Sequence, residues 1–96
     1  MPNSVADFPW NPTHVDETTL VQFGNAVLHT IVANKIDADT CTVVVYDGID
    51  NSGEVMGAIV TGLSQPVTLL YDCKCVTGIY IEILGEGTAD LTVNHI

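Results

Sequence analysis

An all-β fold is what this sequence predicts: a small antiparallel β-sandwich or jelly-roll-like barrel of about seven strands, with an extended N-terminal arm. Three observations carry that expectation. From Thr19 onward apolar and polar residues alternate with a period of two. β-Branched residues dominate the alternating runs. Clusters of Gly, Asp, Asn and Pro cut those runs into short lengths.

Residues 1–18 stand apart. Pro2, Pro9 and Pro12 lie among scattered acids, and proline fixes φ and removes a donor. The stretch therefore reads as an arm, with residues 19–96 as the β domain. Phe8 and Trp10 would be wasted on a free tail. They are the candidate interface residues, laid across a surface of the same domain or of another subunit.

Strands are expected at 19–23, 26–35, 40–47, 55–61, 66–72, 78–84 and 89–95. "TCTVVVYD" sets Cys41, Val43 and Val45 against Thr42, Val44 and Tyr46. "GIYIEIL" sets Ile79, Ile81 and Ile83 against Tyr80, Glu82 and Leu84, and "DLTVNHI" sets Leu91, Val93 and His95 against Thr92, Asn94 and Ile96. "GNAVLHTIVANKI" can be wound into a helix, but Val27, Ile31, Val32 and Ile36 favour a strand. Short strands separated by turns make a sandwich or a barrel.

Charge excludes several functions. Twelve acids face two lysines, there is no arginine, and the formal charge is −10. A chain that must neutralise phosphates needs the opposite balance, so direct nucleic-acid binding is ruled out, as is attraction to anionic lipid. No apolar run approaches the roughly 20 residues of a membrane helix. The first residues lack the basic and apolar parts of a secretory signal, so synthesis in the cytoplasm is expected. Charged residues are 15% of the chain, below the roughly 25% usual in soluble domains. A surface so poor in charge suits contact with other proteins.

The motifs carry little chemistry. "CKC" lacks Cys-x-x-Cys spacing, and in a strand it puts Cys73 and Cys75 on one face, where small packed thiols are expected. "YDGIDNSGE" holds the candidate cation ligands Asp47, Asp50, Asn51 and Glu54. Their spacing departs from the D-x-[DN]-x-[DN]-G calcium loop, whereas Asn, Asp and Gly are ordinary turn residues. The turn of a hairpin is the favoured reading, with Gly53 expected to supply a positive φ and a weak cation site as the alternative. Ser4, Ser52 and Ser64 have no nucleophile elbow, His14, His29 and His95 are scattered, and "LGEGTAD" places an acid where a phosphate would sit. No enzyme and no cofactor are expected.

From Val27 to Ile96 the chain resembles a group of small structural proteins of tailed bacteriophages. The matching residues are Leu28, His29, Ile31 and Asn34, then Tyr46, Asp47, Asp50, Ser52 and Gly53. Pro66, Thr68, Leu69, Tyr71, Asp72, Gly78 and Ile79 follow, the second of two hairpins in the pattern, and then Asp90, Thr92 and Val93. The resemblance implies a virion component on the capsid exterior: a decoration or cement protein between capsomers. Its partners would be the major capsid protein and its own copies in a homotrimer. The alternative is a ligand- or receptor-binding module of a head fibre or tail, with calcium supporting the Asp47–Glu54 loop.

Overall fold

The computed structural model describes residues 10–36, 41–60, 67–85 and 89–96. They form β1 (Asn11–Val15), β2 (Thr19–Phe23), β3 (Ala26–Ile36), β4 (Thr42–Asp47), β5 (Glu54–Val60), β6 (Val67–Cys75), β7 (Gly78–Leu84) and β8 (Ala89–His95). The strands build two four-stranded sheets, ordered β1-β8-β3-β6 and β2-β7-β4-β5.

β1 pairs with β8, β2 with β7, β3 with β6 and β4 with β5, all antiparallel. This is one long hairpin, with β4–β5 at its tip, wound over on itself. The secondary pairings β3–β8 and β4–β7 zip the wound hairpin into its two sheets. The order is that of an eight-stranded jelly roll. The β4–β5 turn joins neighbours in one sheet, whereas every other consecutive pair of strands lies in different sheets. The second hairpin of the sequence pattern is accordingly not a hairpin. β6 and β7 lie in opposite sheets, and Val76–Thr77 form an arch between them.

The core lies between the sheets and follows the period-two pattern. Leu28, Ile31, Leu91 and Val93 from one sheet meet Val43, Val45, Ile79 and Ile81 from the other, all with no exposure. Burying each Val, Leu or Ile side chain contributes about 1.5–3 kcal/mol.

One strand escaped the sequence pattern. Asn11–Val15, within the stretch read as an arm, is β1, and Val15 is part of the core. Pro12 hid it, because a proline argues against a central strand. β1 is an edge strand pairing with β8 alone, where a missing N–H is tolerated. Phe8 lies outside the described residues.

Candidate functional site

The tip of the roll is the nine-residue stretch that offered cation ligands. Asp47 ends β4, and its carboxylate accepts from the backbone N–H groups of Val76 (3.0 Å), Thr77 (2.9 Å) and Gly78 (3.3 Å). An arch between sheets leaves such N–H groups without a ladder partner, and Asp47 supplies one. Those bonds hold its carboxyl below the usual range, with the Val76 N–H the largest cause. Asp50 accepts from the Ser52 hydroxyl and from the Ser52 N–H at 2.8 Å, closing an Asx turn, and its pKa is lowered by the Ser52 hydroxyl first. Asn51 turns the other way and donates to Glu82 Oε2 at 3.2 Å. Glu54 opens β5 opposite Asp47.

The four candidate ligands are thus spread over different tasks. Among the described residues no three His, Cys, Asp or Glu side chains gather into a group that could hold a metal ion. Gly53 also differs from expectation, since its φ is not positive. It is needed for room: a Cβ there would lie 2.6 Å from the Asp47 carbonyl oxygen and 2.8 Å from Gly48 Cα.

Trp10 lies on its own domain. Its ring stacks on His29 with centroids 4.3 Å apart and planes 11° from parallel. His29 Nδ1 contacts Asp72 Oδ1. Asp72 has φ +44° and is the one described non-glycine residue with positive φ. It sits where Tyr71 and Asp72 together oppose His29 across a β-bulge.

The two outer faces differ. On the β1-β8-β3-β6 sheet, His14 Nε2 meets Asp90 Oδ1 at 2.8 Å, and Asn34 Nδ2 donates to Asp90 Oδ1 at 3.1 Å and to Thr92 Oγ1 at 3.3 Å. Asn94 Nδ2 donates to Thr30 Oγ1 at 2.8 Å. Leu70, on the β6 edge, and Ile96, which follows β8 and pairs with Val27, are large exposed apolar side chains of this sheet.

The other sheet turns an apolar face outward. Leu20, Tyr80, Tyr46 and Val55 are register partners in a row across all four of its strands. Phe23 stands at the end of β2 with 73% of its surface exposed, Val55 is 58% exposed, and Leu20 and Leu84 are also exposed. Ile49 and Val76 are exposed apolar side chains at the tip. Within it sits one acid, Glu82. It accepts from Tyr46 Oη at 2.8 Å, and that bond above all raises the Tyr46 pKa.

The sequence pattern already grouped Tyr80, Glu82 and Leu84 on one side of β7. It missed Leu20, Phe23 and Val55, because they join that side only through pairing across strands. His95, set by the alternation on the same face as Leu91 and Val93, points inward with them. It is 6% exposed and bridges the sheets, with Nε2 2.8 Å from Thr13 Oγ1 and Nδ1 2.6 Å from Gln22 Oε1.

Compared with known proteins, the chain matches no family model, no curated protein and no solved structure.

Proposed function

We propose that the chain is a non-enzymatic structural protein of a tailed-phage virion, a decoration or cement protein that seats on the outer surface of the capsid. The observation that carries this reading is the apolar outer face built from Leu20, Phe23, Val55 and Leu84. A sheet face of this kind is a contact surface, and the opposite face carries more hydrogen-bonded polar side chains, with Leu70 and Ile96 exposed toward its edges.

The charge selects the occupant. At this face a second copy would set Glu82 and the acidic tip against like charge, whereas a surface that is apolar at its centre and basic at its rim complements them. The partner is then the major capsid protein. The homotrimer belongs to the same proposal and would use other surfaces. The jelly roll supports the reading by fold-level analogy, since viral capsid domains use it; lectin domains use it too.

The test is co-sedimentation with the parent phage's capsids stripped of this protein. Phe23→Asp and Val55→Asp change exposed side chains and leave the core alone, and both should abolish attachment. Lys74→Glu, on the exposed side of β6, should not. Attachment should also weaken with added salt. Wild-type attachment by Phe23→Asp overturns the proposal, and binding to host cells or glycans in place of capsids favours the receptor-binding alternative.

A further inference from the structure

Met56, Cys73 and Cys75 bring three sulfurs together where an edge of one sheet passes an edge of the other, β5 and β6 being outer strands. Cys73 Sγ lies 3.9 Å and Cys75 Sγ 3.6 Å from Met56 Sδ. Cys73 and Cys75, two positions apart in β6, thus both turn their thiols toward Met56. Cys75 is fully buried, while Cys73 and Met56 are partly buried. The cluster therefore has a dry floor and a mouth that solvent reaches.

Departures from regular sheet flank these sulfurs on both strands. Met56 is the extra residue where the β4–β5 register shifts, between Gly57 opposite Val45 and Val55 opposite Tyr46. On β6 the Tyr71–Asp72 bulge, with Asp72 in the left-handed region, comes immediately before Cys73. Bulges re-aim side chains and are over-represented beside functional sites. Register shifts also occur in β2 and β3, whereas β8 keeps unbroken alternation.

We propose that Met56, Cys73 and Cys75 form a site for one soft monovalent cation, of which Cu(I) is the chemical type. Two thiolates and a thioether are soft ligands that select Cu(I) and reject calcium and magnesium. Structural zinc takes four ligands, usually thiolate and imidazole. The geometry fits as well: metal–sulfur bonds of about 2.3 Å in a flat three-coordinate arrangement set the sulfurs about 4 Å apart. Each thiol gives up its proton as its sulfur bonds the metal. Both protons pass to solvent, and the site is left with one net negative charge. The ion enters and remains as Cu(I), so no electron is exchanged. The metal must displace both thiol protons, so affinity rises with pH.

The experiment titrates reduced, full-length protein without oxygen, using Cu(I) held by a chromophoric Cu(I) chelator. One ion per chain should leave the chelator, releasing both thiol protons. Cys73→Ala should weaken binding at least about 100-fold and Met56→Leu about 10-fold. Cys41→Ala, at the start of β4 and away from the tip, should bind as wild type. Thermal melting confirms that each variant is folded. If Cys75→Ala does not fold, the half-buried Cys73 and Met56 variants carry the test. The proposal is overturned if no ion leaves the chelator, if Cys73→Ala or Met56→Leu binds as wild type, or if Cys41→Ala loses as much. The outcome is independent of capsid attachment.

Discussion

The carboxylate of Asp47 accepts the backbone N–H of Thr77 at 2.9 Å and ties the tip of the wound hairpin to the arch between the two sheets. With the bonds from Val76 and Gly78, one side chain serves three N–H groups that no strand serves. Gly48 N–H, donating to the Gly78 carbonyl at 3.1 Å, adds a backbone tie at the same place.

Replacing Asp47 by Ala should therefore cost about 1–3 kcal/mol. For a domain of this size that lowers Tm by about 4–8 °C per kcal/mol. Asp47→Asn keeps an acceptor and should lose less. An Asp47→Ala protein that melts with wild type would show that water serves the arch equally well.

Room at the tip is as tightly set as its hydrogen bonds. A methyl group at Gly53 meets backbone on two sides, so Gly53→Ala should destabilise by about 1–3 kcal/mol. Gly24 makes the contrast. Its φ is +86° but a Cβ there meets nothing within 4 Å, so Gly24→Ala should cost about 1 kcal/mol, a purely conformational penalty. Chemical denaturation of the two variants separates crowding from backbone preference.

Acid should act in two windows. Burial lowers the His95 pKa, and Gln22 fixes its tautomer. The Gln22 amide donates to the Asn25 carbonyl at 3.3 Å, which turns its oxygen toward His95, so Nδ1–H donates and Nε2 accepts from Thr13. With the folded pKa below the unfolded value of about 6.5, the unfolded chain takes up the proton first. Stability from this group is full above about pH 6.5 and erodes as pH falls through the folded pKa. His95→Gln should flatten that part of the stability–pH curve.

The second window belongs to Asp47, Asp50 and Asp90, all with lowered pKa values, Asp90 through His14 first and then Asn34. Their contribution is full above the unfolded carboxyl value of about 3.9 and is lost as pH falls through the lowered ones. Asp47→Asn should reduce the loss below pH 4 while leaving the upper window untouched. Denaturant midpoints measured from pH 8 to pH 2 check both.

Truncation should separate the arm from β1. Removing residues 1–9 leaves β1 whole, whereas removing residues 1–18 takes Val15 out of the core and exposes the edge of β8. The longer deletion should lower Tm by more and should aggregate, because an uncovered strand edge is a template for pairing. Equal melting of the two proteins would show that β1 contributes nothing to stability.

The residues behind the phage resemblance take on physical roles in the fold. Asp47 ties the arch, Asp50 and Ser52 close the tip, Gly53 makes room, and His29 and Asp72 meet at the bulge. The stretch read as a hairpin turn is one, and it is also a fastening, which was invisible in sequence because the Asp47 partners lie about thirty positions away.

Period-two alternation by itself determined β2 to β8 and the core they supply; β1 and Val15 escaped it. Leu28, Val43, Ile81 and Val93 are buried because side chains on a strand alternate between faces, a local property that survives in any β fold. Tertiary structure alone decided which strands pair, and so which outward residues share a face. Leu20, Tyr80, Tyr46 and Val55 line up, and Met56 meets Cys73 and Cys75, because winding brings distant strands edge to edge. No local preference of the chain encodes that winding; it follows from burying both sheets' apolar faces at once.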